Sequence, residues 1–236
     1  AKEGSGAITL AGANSYTGTT TISAGTLRVT GGAAIPDVSP VILAGATAVF
    51  DVLASETIPS LRTSDASVTA AETILGNGAV LTISPPSGNN NYYGKISGQG
   101  GLTINGNNSA TVQFLGTGST HSGPTTVNNG ARFNILANGA LSPATTVTVN
   151  SGGQLHYGAA DFAIANNFTI SGNGDSTYGL GALRLSDGND AGGTITLAAN
   201  ARIGTVAAAS NTVTLSGKIT GNLSLIHISE PTRPRL

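Results

Sequence analysis

The densest cluster of chemically capable side chains is Ser186-Asp-Gly-Asn-Asp-Ala-Gly-Gly193, preceded by Asn173-Gly-Asp175. Carboxylates and an amide in a glycine-rich loop are the hard oxygen donors that Ca²⁺ takes. The Ca²⁺-binding nonapeptide repeat of β-helices needs a recurring Gly-Gly-x-Gly-x-Asp, and that spacing is absent. Asn and Asp also tolerate left-handed turns, so Asp187 and Asp190 are expected to be turn residues and no metal is assigned. A glycosidase would need two carboxylates held at a defined separation. The candidates for such chemistry are Asp175, Arg184, Asp187 and Asp190, or else His156, Tyr157 and Asp161. Asp187 and Asp190 sit on one glycine-rich loop, a poor place to preorganise a pair, so no catalytic residue is assigned.

His121 and His156 lack a second histidine at metal spacing and are expected on the surface, and His227 lies in a tail of separate origin. Tyr92-Tyr93, beside Asn89-Asn-Asn91, could stack on a sugar ring, although an aromatic turn is the commoner use. Gly98-Gln-Gly-Gly101 and Gly172-Asn-Gly174 are not followed by the Lys-Ser/Thr of a phosphate loop, so no cofactor is expected. The sequons at Asn107, Asn167 and Asn222 are what chance gives in a chain so rich in Asn and Thr.

Composition explains why chemistry is so sparse. Only 9% of the 236 residues are charged, against roughly 25% in ordinary soluble domains. No run of about 18 apolar residues is present to span a bilayer. The 34 glycines follow no three-residue period, which excludes a collagen. With a net charge of −1 and scattered basic residues, neither nucleic acid nor a membrane surface is an expected partner. Cysteine is absent, which suits a chain that crosses a disulfide-forming compartment unfolded.

Strand signals fill the chain. Apolar alternation recurs in runs of three to six residues, as at Ile8/Leu10, Leu27/Val29, Leu102/Ile104, Val147/Val149 and Ile195/Leu197, bounded by Gly, Asn, Ser or Pro. Residues 51–75 are glycine-free and carry five charges, so a helical insertion is an alternative there, with strands favoured. Asn-Gly pairs such as Asn77-Gly78 and Asn129-Gly130 also suit hairpins, leaving an antiparallel sandwich as the competing fold.

Whole phrases repeat, which favours stacked units. Gly4–Val29 (GSGAITLAGANSYTGTTTISAGTLRV) returns 105 residues later, Leu10 on Leu115, Gly18 on Gly123, Thr20 on Thr125 and Ile22 on Val127. A weaker echo is Ala191–Leu197 with Asn200–Ile203. Equivalent residues are expected to lie directly above one another about 4.8 Å apart. At roughly 20 to 25 residues per coil, nine or ten coils would make a rod on the order of 45 Å long. Ile8, Leu10, Ile22, Leu27 and Val29 should point inward, and Asn and Thr at corners should hydrogen-bond along the stack.

These phrases, the core Gly-Ala-Asn-Ser-Tyr-Thr-Gly at 12–18 above all, resemble the autotransporter-associated β-strand repeat of exported bacterial proteins. Val41–Asp51, Thr57–Leu61, Lys95–Gly106, Gly181–Ile203 and Thr212–Gly221 fit less closely. The resemblance implies a right-handed, single-stranded parallel β-helix at the cell surface, and it carries no catalytic motif. The expected role is a non-catalytic stalk, the alternatives being a carbohydrate-active enzyme or a glycan-binding adhesin. Possible partners are surface glycans or neighbouring β-helix segments.

The expected layout is a repeat region over 1–222, with imperfect units at 4–98, 99–171 and 172–222, truncated at both ends. Residues 223–236 form a separate tail, of which 223–233 resemble a translated sequencing adaptor. A solenoid cut mid-pattern exposes unpaired strand edges. The isolated chain is therefore expected to associate end to end. Sedimentation over a concentration series checks this, a stable monomer at high concentration being the contrary result.

Overall fold

Short β-branched runs bounded by turn residues cannot bury themselves alone, and stacking is how they become buried. In the computed structural model, which describes residues 1–177, 180–205, 212–222 and 225–226, all named strand pairs are parallel and no helix is present among the described residues. The chain winds as a three-faced coil through about nine turns. Face one begins with Ala7–Leu10, Gly25–Val29, Ala48–Val52, Glu72–Leu75 and Lys95–Gly98. Backbone hydrogen bonds from Thr120 to Ile96 and from Ser119 to Gly139 carry it on, and Ala163–Ile164 and Asp190–Ala191 follow.

Face two stacks Glu56–Ile58, Val80–Ile83, Gly101–Ile104, Thr125–Val127, Val147–Val149 and Phe168–Gly172. The first half of Ile195–Thr205 and then Ile219–Thr220 complete it. Face three opens with Thr20–Ile22, Val41–Leu43 and Leu61–Thr63. It continues through Gly88–Tyr92, Ala110–Phe114, Arg132–Ile135, Gln154–Tyr157 and Leu183–Leu185 to the second half of Ile195–Thr205.

The inward columns are apolar and dry. One runs Ile58, Ile83, Ile104, Val127, Val149, Ile170, Leu197, all buried. Aromatic rings line the inner side of face three, where Tyr92 and Phe114 lie 5.5 Å apart and Phe114 meets Phe133 edge-on at 4.8 Å. At the corner after face two, the side-chain amides of Asn105, Asn128 and Asn150 each donate to the residue one coil below, Ser84, Asn105 and Asn128 respectively, at 3.1, 2.8 and 2.7 Å. Gly25 shows why corners need glycine. Its φ is +66°, and an added Cβ would lie 2.5 Å from the Gly4 and Gly6 carbonyl oxygens of the adjacent coil.

One expectation is corrected. The copies 105 residues apart do not stack on each other, because Thr20–Ile22 lies on face three and Thr125–Val127 on face two. Each coil is three similar strand-and-corner units, so one phrase fits any corner, and the residues that truly stack are about 22 apart, as Asn128 and Asn150 are. Ile8 is paired with Leu27 and faces inward, yet it remains 49% exposed because its strand has a neighbour on one side only. Leu10 is half-buried for the same reason. Residues 51–75 form strands, as favoured. Of the tail, Leu225–Ile226 pairs with Ala201 and Arg202 and the rest lies outside the described residues.

Leu27 is 4% exposed between Ile8 and Phe50. Leu27→Ala should cost about 2–5 kcal/mol in denaturant unfolding, as expected for a core cavity. Ile8→Ala, on the open side of the same column, should stay within about 1 kcal/mol.

Candidate functional site

The residues that sequence singles out for chemistry are dispersed by the coil. Asp187 Oδ1 accepts the Thr212 amide at 2.8 Å, and Asp190 Oδ1 accepts the Ser216 amide at 3.2 Å and its hydroxyl at 2.7 Å. Both carboxylates thus bind backbone of the next coil, as turn residues do. Asp175 is buried and accepts the Thr177 amide at 3.0 Å. Asp161 takes a left-handed φ of 60° at a corner, which suits the turn. No three His, Cys, Asp or Glu side chains gather in metal-binding geometry among the described residues.

His121 is fully buried, contrary to its expected surface place. It sits inside the coil at the turn from face one to face two, where its Nε2 is 3.1 Å from Thr125 Oγ1. Thr125 Oγ1 is in turn 3.0 Å from Thr145 Oγ1, which donates to the Gly123 carbonyl. These hydroxyls let an imidazole replace an apolar side chain. Burial pushes the His121 pKa down to about 4, so its ring is neutral near pH 7. Tyr92 is also internal, its hydroxyl 3.0 Å from Thr73 Oγ1 and donating to the Lys95 carbonyl at 2.9 Å. It cannot stack on a sugar. Tyr93 is half-buried at the corner. Tyr157 is likewise inside, donating to Asn166 Oδ1 at 3.1 Å. Burial raises the pKa of both phenols, Tyr92 and Tyr157.

Glu56 was not visible as unusual in sequence. It begins face two with an inward side chain that is 2% exposed. Its Oε2 accepts the Ala34 amide at 3.1 Å, while Oε1 has no partner among the described residues. Burial pushes its pKa up to about 7, against backbone amides at Ile35 and Ala34 that pull it down.

Two surfaces on the outside carry concentrated polarity. On face three a groove is lined by Asn134, Gln113, Gln154, Arg132, His156 and Arg184 among others, with no acid in its lining. His156 is half-buried there, its pKa lowered to about 4 by burial and by Arg184. Gln154 donates to the Gly181 carbonyl at 3.2 Å, and Thr177 donates to the Asn108 carbonyl.

Face two is more regular. The outward centre of every coil is threonine: Thr57, Thr82, Thr103, Thr126, Thr148, Thr169, Thr196 and Thr220, each paired with the next in register. From Thr57 to Thr169 none of these hydroxyls hydrogen-bonds to the described residues, and Thr196 accepts from Thr220 at 3.2 Å. A groove on this face is lined by Thr146, Thr148, Asn167, Thr169, Thr194 and Thr196, with Val147 and Phe168 beside it turned inward and buried. The sequence signal was present as apolar-Thr-apolar triplets such as Leu81-Thr-Ile83 and Val147-Thr-Val149. Unequal coil lengths hid it, since the threonines are 21 to 27 residues apart (Thr82 to Thr103, Thr169 to Thr196).

Residues 1–29 match the family described as Passenger-associated-transport-repeat. Over 239 aligned residues, covering 95% of this chain, the sequence is 34% identical to the adhesin BmaC autotransporter of Brucella suis biovar 1 (strain 1330). The chain spans 6% of that relative's length. No solved structure matches. The resemblance carried by Gly4–Val29 is borne out by both matches.

The buried titratable groups act in opposite directions. Glu56 has a raised folded pKa, so its neutral form stabilises below about pH 4.5, and that stability is lost as pH rises through about 7. His121 has a lowered folded pKa, so its contribution is present above about pH 6.5 and lost as pH falls towards 4. Melting temperatures from pH 4.5 to 7 should therefore fall for the native chain relative to Glu56→Gln. Parallel curves would show that the carboxyl does not titrate in this window.

Proposed function

We propose that this chain, which carries an autotransporter passenger repeat, is a non-catalytic spacer in an exported surface protein, holding other parts of that protein away from the outer membrane. One observation carries the proposal. The described residues form one continuous stack of apolar columns, and their acids are dispersed: Asp187 and Asp190 bind backbone of the next coil, Asp51 and Glu72 pair with Arg28 and Lys95, and Glu56 is turned inward, with no three gathered in one cluster. Nine turns at a rise of about 4.8 Å give a rod of roughly 43 Å, enough to matter as reach. The absence of cysteine suits passage through a disulfide-forming compartment. A second reading has its own support. The relative is named an adhesin, which favours a rod whose side also binds.

A spacer tolerates removal of whole coils. Thr103 and Thr148 occupy the same outward position two turns apart, so deleting residues 104–148 joins Thr103 to Val149 in register. The shortened chain should fold cooperatively, with a scattering length reduced by about 10 Å. Inside a full-length passenger, the same deletion should leave adhesion by distal regions intact. Cleavage of acidic or neutral polysaccharides, abolished by Asp187→Ala or Asp190→Ala, would overturn the non-catalytic reading.

A further inference from the structure

We propose that the outer side of face two is a binding track for a neutral, linear polysaccharide lying along the rod axis, with the threonine column as its principal set of contacts. The inference deepens the adhesive reading and does not depend on the spacer role.

The first argument is that strand propensity does not require this column. Threonine is a good strand former, but the same propensity acts on all three faces. The equivalent outward column of face one reads Thr9, Arg28, Asp51, Ile74, Ser97. On face three it reads Asn91, Gln113, Asn134, His156, Arg184. Only face two holds one residue type through eight coils.

The second argument is chemical. A threonine hydroxyl both donates and accepts, which matches a partner made of hydroxyls. Those from Thr57 to Thr169 are unengaged by the described residues. Beside them the amides of Asn105, Asn128 and Asn150 each use one N–H within the ladder, and a second N–H on each is left to donate. From Ser55 to Thr196 the outward positions of these strands carry no charged residue, so acidic and basic partners gain nothing there. Cations collect instead on face three, at Arg132 and Arg184.

The third argument is geometric. Coils repeat at about 4.8 Å, close to the advance of one ring in an extended chain of pyranoses, so one threonine can meet each successive ring. The groove from Thr146 to Thr196 gives the chain a concave seat, in which the threonine methyl groups offer apolar surface to ring C–H groups. Threonine is stiff at χ1, so little side-chain freedom is lost on binding, and weak contacts accumulate along the column.

The test is calorimetric titration of the full 236-residue chain with cellohexaose, chitohexaose and mannohexaose, alongside a uronic-acid hexasaccharide, at low and high salt. At least one neutral probe should bind, with an affinity independent of salt. The triple variant Thr126→Val, Thr148→Val, Thr169→Val keeps shape and strand preference while removing three hydroxyls. It should retain the melting temperature and lose about tenfold or more in affinity, given roughly 0.5–1.5 kcal/mol per hydrogen bond. If that variant fails to fold, Thr82→Val with Thr103→Val carries the same test on neighbouring coils. The proposal is overturned if no neutral probe binds, if affinity survives the valines, or if only the acidic probe binds and salt abolishes it. It is also overturned if the chain dimerises in sedimentation and the valines make it monomeric, since the face would then be an interface between copies. None of these outcomes bears on the whole-coil deletion, so this proposal and the spacer reading can fail separately.

Discussion

Everything in this molecule follows from register: each residue lies over the equivalent residue of the next coil, at the spacing of one backbone hydrogen bond. The unit of selection is then the column. An inward column must be apolar along its whole length, because a lone polar group there would face hydrocarbon above and below. The exceptions support this rule. Thr73 lies inside because Tyr92 supplies its partner, and Thr125 because Thr145 and His121 do. Asn166 is buried with its amide on the Ser142 and Thr145 carbonyls and its oxygen taking the Tyr157 hydroxyl. Glu56 and His121 are left incomplete, with Glu56 Oε1 and His121 Nδ1 lacking a partner among the described residues, and burial holds both groups towards their neutral forms.

The same constraint explains what could be read from the sequence. Alternation is local, so the strands and the buried state of Ile22, Leu27 and Val29 were legible directly. Repetition of Gly4–Val29 indicated a stack. The phase of the stack was not legible, because coil lengths differ, as between 19 residues (Ile8 to Leu27) and 28 (Leu155 to Leu183), and the extra length sits in corners. Without phase, no residue can be assigned to a face. The 105-residue offset looked like vertical stacking and was instead a displacement from face three to face two. Tyr92 and His121 were misplaced for a related reason. Both sit among Ser, Asn and Gly, and a local window cannot tell an inward polar pair from an exposed turn.

The outward columns are governed differently. They touch solvent, and a repeat array distributes stability mostly through each coil and its immediate neighbours. An exchange at Thr148 should disturb little beyond Thr126 and Thr169, whereas an exchange at Val149 opens the dry column between Val127 and Ile170. Outward composition is thus loosely held by the fold. Faces one and three show that freedom, with charges, amides and an isoleucine at equivalent positions.

Against that freedom, eight threonines in one column need a cause other than folding. Solubility does not supply it, since charged residues would serve better and occur on the other faces. Nor does edge protection, because these positions lie at strand centres. What a uniform column gives that a mixed one cannot is translational equivalence: every coil offers the same hydroxyl and methyl in the same orientation. Only a partner that is itself periodic along the rod can use that property repeatedly. A folded globular partner would meet two or three of these threonines and gain nothing from the rest. The uniformity of face two therefore points to an extended, repeating ligand.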